Sequence, residues 1–412
     1  MMLAFMRICL VYDCLFPYTV GGAERWYRNL AERLVRDGHD VTYLTLRQWD
    51  RGQRLDLDER IRVVTAGPRM ALYTAAGRRR ILPPLVFGLG VLWHLLRRGG
   101  RYDVVHTCSF PYFSLLAAAA VRPLRRYGLV VDWFEVWSDS YWRDYLGGLG
   151  GRVGALVQRL CAAVPQHAYC FSELHARRLR EEGLRGEVEV LRGLFAEDVP
   201  AGEPAPAEPV VVFAGRLIPE KQAPLGAAAV GLAARQVPGL QGEFFGDGPE
   251  RGALEREIRD RDLEGVVHAR GFTEGARVEA EMRRALCVLL PSRREGYGMV
   301  VVEAAARGTP SVVVAGEDNA AAELVQDGVN GALAPRSDAE AIAAAIVRVH
   351  EAGPALRAST AAWYAANREK LSLETSLRRV LAGYAAAGAG GSAGSAANGS
   401  SDAGAAEPSA RA

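Results

Sequence analysis

The sequence has little net charge, few cysteines and no long apolar run, and each absence excludes a class of protein. Its 50 basic and 48 acidic residues leave a net charge of +2, so the composition gives no reason to expect a nucleic-acid binder. The six cysteines are scattered without C-x-x-C spacing, which is typical of reduced, buried thiols in a cytoplasmic protein rather than of a disulfide framework. No signal-peptide pattern precedes the first predicted strand.

The longest apolar run, residues 81–96, is interrupted by two prolines, two glycines and a histidine. It is therefore too short to predict a transmembrane helix. Three arginines, 78–80, precede the run and two, 97–98, follow it. This pattern is typical either of a helix packed on the core with solvated arginines, or of a surface helix that contacts anionic lipid. The sequence leaves open peripheral membrane contact through the Arg-rich N-terminal half.

The predicted strands alternate with helices in two series, and 412 residues are enough for two domains. The first series spans residues 7–195 and the second residues 210–358, with a Pro-rich acidic linker at 196–209. Such alternation predicts an α/β fold: two Rossmann-like domains with parallel sheets that face each other across a cleft. A C-terminal helix at about 360–384 is expected to close the N-terminal domain. Residues 388–412 are rich in Gly, Ala and Ser without aromatics, so we predict a disordered tail.

Two glutamates, Glu295 and Glu303, bracket a glycine-rich turn in the second series. The apolar run before the turn predicts a buried strand, and the Ala-rich stretch that starts at Glu303 predicts a helix. At such a crossing, unpaired backbone N–H groups and the positive end of the helix dipole point at the same place. The expected ligand is an anion, so the Glu295 carboxylate is expected to contact something else.

A second loop supplies cations beside this turn. Arg216 and Lys221 follow the first predicted strand of the second series, and Lys221 is one of only two lysines in the chain. An ammonium next to a planar guanidinium fits a phosphate-binding loop, although a solvated loop is the plain alternative. Gly246, Asp247 and Gly248 end the next strand at the same edge, which is weak evidence by itself because turns use glycine constantly.

The first series offers three further candidates for a ligand site. Gly21 and Gly22 lie between the first strand and helix, where they allow close approach of a ligand, or only flexibility. His106 ends a strand at the edge where parallel sheets bind ligands, although an ordinary strand-end histidine is equally expected there. No His or Cys cluster predicts a metal site. Five other histidines are interpreted as turn or surface residues: His39, His167, His175, His268 and His350.

In this order and spacing the motifs resemble the retaining nucleotide-sugar glycosyltransferases of family 4, which have the two-domain GT-B fold. The resemblance covers about residues 7–384, and its most specific part is the Glu-x7-Glu motif of Glu295 and Glu303. It implies transfer of a hexose from a nucleoside diphosphate sugar to a hydroxyl of a small-molecule or lipid-linked acceptor. Retention at the anomeric carbon is implied, without a metal or another cofactor.

The resemblance also implies roles for individual residues. Glu295 would hold hydroxyls of the donor sugar, and Glu303 those of the ribose. Arg216 and Lys221 would neutralise the diphosphate as it leaves. The backbone that contacts sugar and diphosphate would come from Gly296, Tyr297, Gly298 and Met299. The remaining donor-side positions are Gly21, Gly22, Gly246, Asp247, Gly248, Gly271 and Phe272, the last two beside the base.

The chain departs from the family's pattern in two places. The strand that often ends in a histidine here reads Phe134-Glu135, so Glu135 or His106 would supply the polar group near the acceptor. The family's Asn-Gly-Val after the last N-terminal strand is replaced by residues 192–194, Arg-Gly-Leu. The nearby aromatics either stack on a sugar or cyclic acceptor or pack in the core: Trp133, Phe134, Trp137, Tyr141 and Trp142.

The sequence therefore predicts a glycosyltransferase, with one alternative from another class of protein. A catalytically degenerate GT-B protein would bind a nucleotide sugar as a scaffold, and the missing histidine favours it. The intact glutamate pair and both cations argue against it. A GT-B epimerase or phosphorylase is less well supported, because the Gly21-Gly22 loop suits transfer better.

Overall fold

The computed structural model describes residues 4–72, 74, 79–196 and 205–393, and only the backbone of 388–393. Most of the predicted linker and residues 394–412 of the predicted tail lie outside these ranges. Within them the chain forms two α/β domains with parallel sheets, which confirms the predicted fold class. No helix in the described ranges is long and apolar enough to cross a bilayer. All six cysteines are buried and unpaired, as predicted.

The N-terminal domain is built on a seven-stranded parallel sheet of order β3-β2-β1-β4-β5-β6-β7. Its strands are β1 (Arg7–Val11), β2 (Asp40–Thr45), β3 (Arg62–Thr65), β4 (Val104–Cys108), β5 (Gly128–Trp133), β6 (Gln166–Cys170) and β7 (Gly186–Val190). Its helices are α1 (Gly22–Arg36), α2 (Leu82–Arg98), α3 (Tyr112–Arg125), α4 (Asp139–Ala162) and α5 (Glu173–Glu181). The strand order reverses between β1 and β4, which opens a crevice beyond their carboxyl ends.

The C-terminal domain has a six-stranded sheet of order β10-β9-β8-β11-β13-β15 and a small pair, β12-β14. Its strands are β8 (Val210–Ala214), β9 (Gln241–Phe245), β10 (Val267–Gly271), β11 (Cys287–Leu290), β12 (Arg294–Glu295), β13 (Ser311–Val314), β14 (Asp318–Asn319) and β15 (Gly331–Ala334). Its helices are α6 (Ala223–Ala234), α7 (Arg251–Asp260), α8 (Gly275–Arg284) and α9 (Met299–Ala306). α6 and α9 are rich in alanine and largely buried, so they pack closely on the sheet.

Two C-terminal helices connect the domains. α10 (Ala339–Leu371) is kinked at Gly353, and α11 (Leu373–Ala393) crosses back to the N-terminal sheet, where it packs on β4 and β5. A Cβ at Gly128 of β5 would lie 2.8 Å from the backbone oxygen of Ala387, so the helix approaches the strand through a glycine. α11 extends to Ala393, so it includes the first six residues of the predicted tail.

Candidate functional site

A cleft of about 460 Å³ lies between the two domains, beyond the carboxyl ends of their strands. Its walls come from the loop before α1, the end of β5, the loop after β8 and the turn into α9. Eleven of the residues predicted from sequence line it: Gly21, Gly22, Glu135, Arg216, Lys221, Glu295, Gly296, Tyr297, Gly298, Met299 and Glu303. Tertiary structure thus brings together motifs that are almost 300 positions apart in the chain.

Glu295 is held rigidly at the floor of the cleft. Its strand β12 pairs with β14, and the residue is 8% exposed. One carboxylate oxygen accepts a hydrogen bond from the Ser292 hydroxyl at 2.7 Å and forms an ion pair with the Lys221 ammonium. The cation loop and the glutamate turn therefore form one unit, because this ion pair joins them directly.

The turn into α9 requires glycine at two positions, because one has a backbone conformation that other residues rarely adopt and neither has room for a Cβ. Gly298 has φ +96°, and a Cβ there would overlap Ala321. A Cβ on Gly296 would lie 2.7 Å from the backbone oxygen of Phe134 in the opposite domain. The first N–H groups of α9 lack partners within the helix, and they begin at this point in the cleft. The turn can therefore place backbone donors close to an anion.

Arg216 is exposed to the cleft on a loop that rests on a second glycine turn. The backbone N–H of Leu217 donates to Asp247 at 2.9 Å, and a Cβ on Gly246 would overlap the Gly215 carbonyl. Gly246, Asp247 and Gly248 do not line the cleft, although the sequence predicted donor contacts for them. They support the Arg216 loop from behind.

Gly271 and Phe272, predicted beside the base, also lie outside the lining of the cleft. Gly271 has φ +73° at the end of β10, and its carbonyl accepts a hydrogen bond from the Gly246 N–H at 2.8 Å. Phe272 is 83% exposed. The described structure thus gives Gly271 a contact within the sheet and brings neither residue to the cleft.

Glu135 enters the cleft from the N-terminal domain and pairs with a cation that sequence reasoning missed. Its carboxylate accepts a hydrogen bond from the Trp137 indole at 2.7 Å and forms an ion pair with Arg294. The Arg294 guanidinium packs against the rings of Trp137 and Tyr141, at 4.8 and 4.5 Å from their centroids. Burial lowers the pKa of Arg294 to about 10, so it stays charged at neutral pH. The sequence feature that could have identified Arg294 is its position directly before Glu295.

The aromatic segment around Glu135 divides between core and cleft. Trp133 and Trp142 are buried, and the Trp133 indole donates to Gln166 at 2.8 Å. Phe134 lines the cleft and stacks on Phe171, with ring centroids 4.4 Å apart. Trp137 and Tyr141 are buried as well, so packing explains the three tryptophans, and Phe134 is the aromatic side chain of this segment that lines the cleft.

Glu24 is a second residue of the cleft wall that the sequence interpretation did not assign. It is 9% exposed and lies under the Gly21 turn, where a Cβ on Gly21 would overlap its carboxylate. Burial raises the pKa of the Glu24 carboxyl, whereas the charge of Arg216 in the other domain acts in the opposite direction. The sequence feature that could have identified Glu24 is its place at the end of the run Gly21-Gly22-Ala23-Glu24.

The prediction that His106 lies at the cleft is wrong. It is fully buried between β5 and α11: its Nδ1 lies 2.6 Å from the Tyr384 hydroxyl, and its Nε2 lies 3.0 Å from Asp132. Asp132 also accepts a hydrogen bond from the Trp26 indole at 2.7 Å. These four buried side chains tie α1, β4, β5 and α11 together, so the role of His106 is to hold the fold.

Contacts of α5 join the two domains beside the cleft, and this helix also carries His175. Predicted to be a turn or surface residue, it is 1% exposed, and its Nδ1 accepts a hydrogen bond from the Val136 N–H at 3.1 Å. Across the interface, the Glu323 carboxylate accepts hydrogen bonds from the first N–H groups of α5, at 2.9 and 2.6 Å. Arg178 of the same helix pairs with Asp318 at 2.5 Å. α5 is therefore docked on the C-terminal domain.

We predict that His175 makes stability fall in acid. Burial, together with the charge of Arg178, lowers its pKa from 6.5 to about 4. Between these values the unfolded chain binds a proton that the folded chain does not, so stability is lost as pH falls from 6.5 to 4. The loss amounts to about 3 kcal/mol at roughly 1.4 kcal/mol per pH unit. The free energy of unfolding, measured with urea across this pH range, should depend less steeply on pH for His175→Gln than for wild type.

The exposed histidine His350 supplies the matched control for that measurement. His350→Gln should leave the pH dependence of unfolding as it is in wild type. Parallel curves for wild type and His175→Gln would show that the buried imidazole is not the group responsible.

Family models and curated proteins give matches over most of the chain. Residues 20–192 match the model described as Glycosyltransferase Family 4, and residues 196–366 match glycosyl transferases group 1. Glycogen synthase from Mycobacterium tuberculosis is 26% identical over 365 residues, 83% of this chain and 85% of that protein. An exopolysaccharide phosphotransferase from Streptomyces coelicolor is 34% identical over 143 residues, which are only 14% of its length.

Solved structures show the same arrangement of two domains. Sucrose-phosphate synthase from Thermosynechococcus elongatus superposes with a TM-score of 0.74 at 19% identity, over 93% of this chain and 100% of that one. Anabaena Alr3699/HepE in complex with UDP and glucose superposes with a TM-score of 0.67 at 20% identity, over 92% and 99%. At these identities the likeness establishes the fold, and the family models cover both domains. The chain therefore belongs to the GT-B glycosyltransferases that join a Family 4 domain to a group 1 domain.

Proposed function

We propose that this glycosyltransferase is a retaining enzyme that moves a hexose from a nucleoside diphosphate sugar to a hydroxyl of its acceptor. The observation that carries the proposal is the convergence of Arg216, Lys221 and the N-terminus of α9 beside the buried carboxylate of Glu295. Two cations and free backbone donors suit a diphosphate, while a neighbouring carboxylate suits sugar hydroxyls. Anabaena HepE, which shares the fold, was solved with UDP and glucose.

In this proposal the donor lies along the turn into α9. Its diphosphate contacts the N–H groups that follow Gly298, together with Arg216 and Lys221. Glu295 accepts hydrogen bonds from the sugar, and Glu303, one turn further along α9, accepts them from the ribose. Gly21 and Gly22 let the opposite domain approach the phosphates closely, because neither carries a Cβ.

The chemistry follows from these charges. Breaking the bond between the anomeric carbon and the phosphate oxygen builds positive charge on the sugar and negative charge on the diphosphate. Fixed cations and backbone donors aimed at the leaving oxygens lower this barrier most. We assign the stabilisation to Arg216, Lys221 and α9, and propose neither a protein-bound metal nor a covalent nucleophile. In the described residues no three His, Cys, Asp or Glu side chains are grouped to hold a metal ion.

The acceptor enters from the N-terminal domain in this proposal, next to Glu135 and Phe134. The carboxylate of Glu135 lies beside Gly296 of the glycine turn. It would accept a hydrogen bond from the acceptor hydroxyl and so take the place proposed for it in the sequence analysis. Relatives named as glycogen synthase, 2-deoxystreptamine N-acetyl-D-glucosaminyltransferase and a phosphatidylinositol monomannoside mannosyltransferase have names that refer to a polymer, a small molecule and a lipid. We propose a cytoplasmic enzyme with a small-molecule or lipid-linked acceptor.

A thermal-shift screen against UDP-, GDP-, dTDP- and ADP-sugars should identify the donor. The matching nucleotide sugar should raise the melting temperature, because a ligand that binds only the folded protein stabilises it. The same donor should then be hydrolysed slowly without an acceptor. Binding without any hydrolysis or transfer would favour the alternative of a degenerate scaffold, and no shift with any of the four would contradict both.

A further inference from the structure

Exposed apolar side chains are concentrated on one part of the N-terminal domain. Of the fifteen large apolar residues that are exposed in the described chain, twelve lie between residues 81 and 160. Scattered exposed leucines are normal, whereas a contiguous apolar surface marks a site of interaction. The distribution over α2, α3 and α4 therefore calls for a physical explanation.

α2 is apolar on two faces. Phe87, Val91 and Leu95 pack into the core, while a row on the opposite side is exposed to solvent. That row is Leu82, Leu85, Leu89 and Trp93, which are 61%, 38%, 66% and 57% exposed. Spacings of three and four residues place them on one face of the helix. The core needs only the first face, so the second is available to a partner.

α4 carries a matching row after its kink at Gly147. Leu149, Val153, Leu156 and Leu160 are 77%, 55%, 56% and 52% exposed and again follow spacings of four, three and four. No acidic residue lies between positions 145 and 162. This second row was not foreseen in the sequence analysis, because glycines interrupt the apolar pattern there.

The two rows lie on the same side of the sheet. The chain passes from β3 to β4, β5 and β6 in one direction across the sheet. Right-handed crossovers then place α2, α3 and α4 on a single face, with α3 between the other two. α3 packs on both neighbours and exposes Leu124 near its end. We refer to α2, α3 and α4 on this side as the apolar face.

The charge at the edge of the apolar face is positive. Between residues 79 and 131 the only acidic residue is Asp103, and it is paired with Arg7 outside this face. Arg97, Arg98 and Arg126 are exposed at the ends of α2 and α3. The guanidinium of Arg97 lies 3.6 Å from the centre of the Trp93 ring. Surfaces that lie in the headgroup region of an anionic bilayer typically combine arginine with tryptophan and leucine in this way.

We propose that the apolar face docks on a bilayer containing anionic phospholipid, and that the acceptor is therefore lipid-linked. The choice of a lipid-linked acceptor rests on the proposed glycosyl transfer, whereas docking does not. The face extends to the contact between the domains. Arg79, just before α2, donates its N–H to Tyr145 of α4 at 3.2 Å, and Asp144 of α4 pairs with Arg293 of the other domain. A bilayer fits better than a second copy of the chain, because anionic headgroups complement the arginines that a copy would repel.

Sedimentation of the full chain with vesicles tests the docking. Wild type should bind phosphatidylcholine vesicles that contain phosphatidylglycerol, and bind phosphatidylcholine alone much more weakly. Arg97→Glu with Arg98→Glu should lower partitioning by about 30-fold or more, since each arginine near an anionic surface contributes about 1 kcal/mol. Leu89→Glu with Leu156→Glu should abolish binding. The control is Arg256→Glu with Arg259→Glu, which makes the same charge change at two exposed residues of α7 in the other domain. This variant should bind vesicles like wild type.

Two results would overturn the docking proposal. The first is that wild type, the double arginine variant and the double leucine variant all sediment equally with vesicles. The second is that wild type does not bind vesicles but forms a dimer in sedimentation velocity, and that Leu89→Glu with Leu156→Glu dissociates this dimer. Circular dichroism melts should show that the variants fold. Donor hydrolysis in solution reports on the proposed transfer separately, so a failure of docking and a failure of the proposed function are distinguishable.

Discussion

Replacing Glu295 by alanine should lower kcat/KM for glycosyl transfer by roughly two to three orders of magnitude while leaving the protein folded. The carboxylate is proposed to hold the donor sugar as the bond to phosphate breaks, and it positions Lys221 through their ion pair. The fold should survive because the Lys221 side chain is 21% exposed and can be hydrated when its partner is lost. Steady-state kinetics with the donor found by the thermal-shift screen, together with a melt of the variant, measures both parts.

Two matched variants separate the charge from the packing at this position. Glu295→Gln keeps the shape and should still lose most activity, because neither Lys221 nor the sugar then faces a carboxylate. Ser292→Ala removes only the hydrogen bond that the hydroxyl donates to the carboxylate at 2.7 Å; it keeps both charges and should cost far less. Turnover of Glu295→Ala at the wild-type rate would refute the assignment of this residue to the donor.

Replacing Lys221 by glutamine should weaken nucleoside diphosphate binding by about 10- to 150-fold, the loss of one charge-assisted hydrogen bond of about 1.5–3 kcal/mol. The residue lies on the loop that also carries Arg216 and lines the cleft beside the turn into α9. Isothermal titration calorimetry with the nucleoside diphosphate measures the difference directly. The affinity should also fall with added salt less steeply than in wild type, because one cation is missing.

The second lysine of the chain gives the control for this measurement. Lys370 is exposed near the end of α10, so Lys370→Gln removes the same charge without touching the cleft. It should bind the nucleoside diphosphate with wild-type affinity. If Lys221→Gln binds equally well, Lys221 does not contact the diphosphate, and its ion pair with Glu295 would be its whole role.

Where sequence reasoning succeeded, the information was local. The turn from Glu295 to Glu303 combines a strand, glycines and a helix within a few residues, and each of these follows from pattern and backbone conformation. The scarcity of lysine pointed to Lys221 in the same way. In the structure these residues line one cleft and Lys221 pairs with Glu295, as neighbouring loops at one edge of a parallel sheet should.

Where it failed, the missing information concerned which side of an element faces which neighbour. His106 does end β4 at the expected edge, but its ring turns to Asp132 of the next strand and to Tyr384 of α11, a helix far away in sequence. The missing Cβ of Gly246 makes room for the Gly215 carbonyl, whereas a donor contact of Gly246 stays a prediction. A glycine pattern by itself does not distinguish close approach to a ligand from close approach to the backbone.

The sequence by itself determined the α/β class, the two series of strands and helices, and the Glu-x7-Glu turn with its cations, because periodicity, turn residues and spacing are properties of neighbouring positions. Tertiary structure alone decided that Arg294 pairs with Glu135, that His175 is buried, and that α2 and α4 expose apolar rows on one side. These depend on strand order and on the contact between domains, which bring residues together from distant parts of the chain.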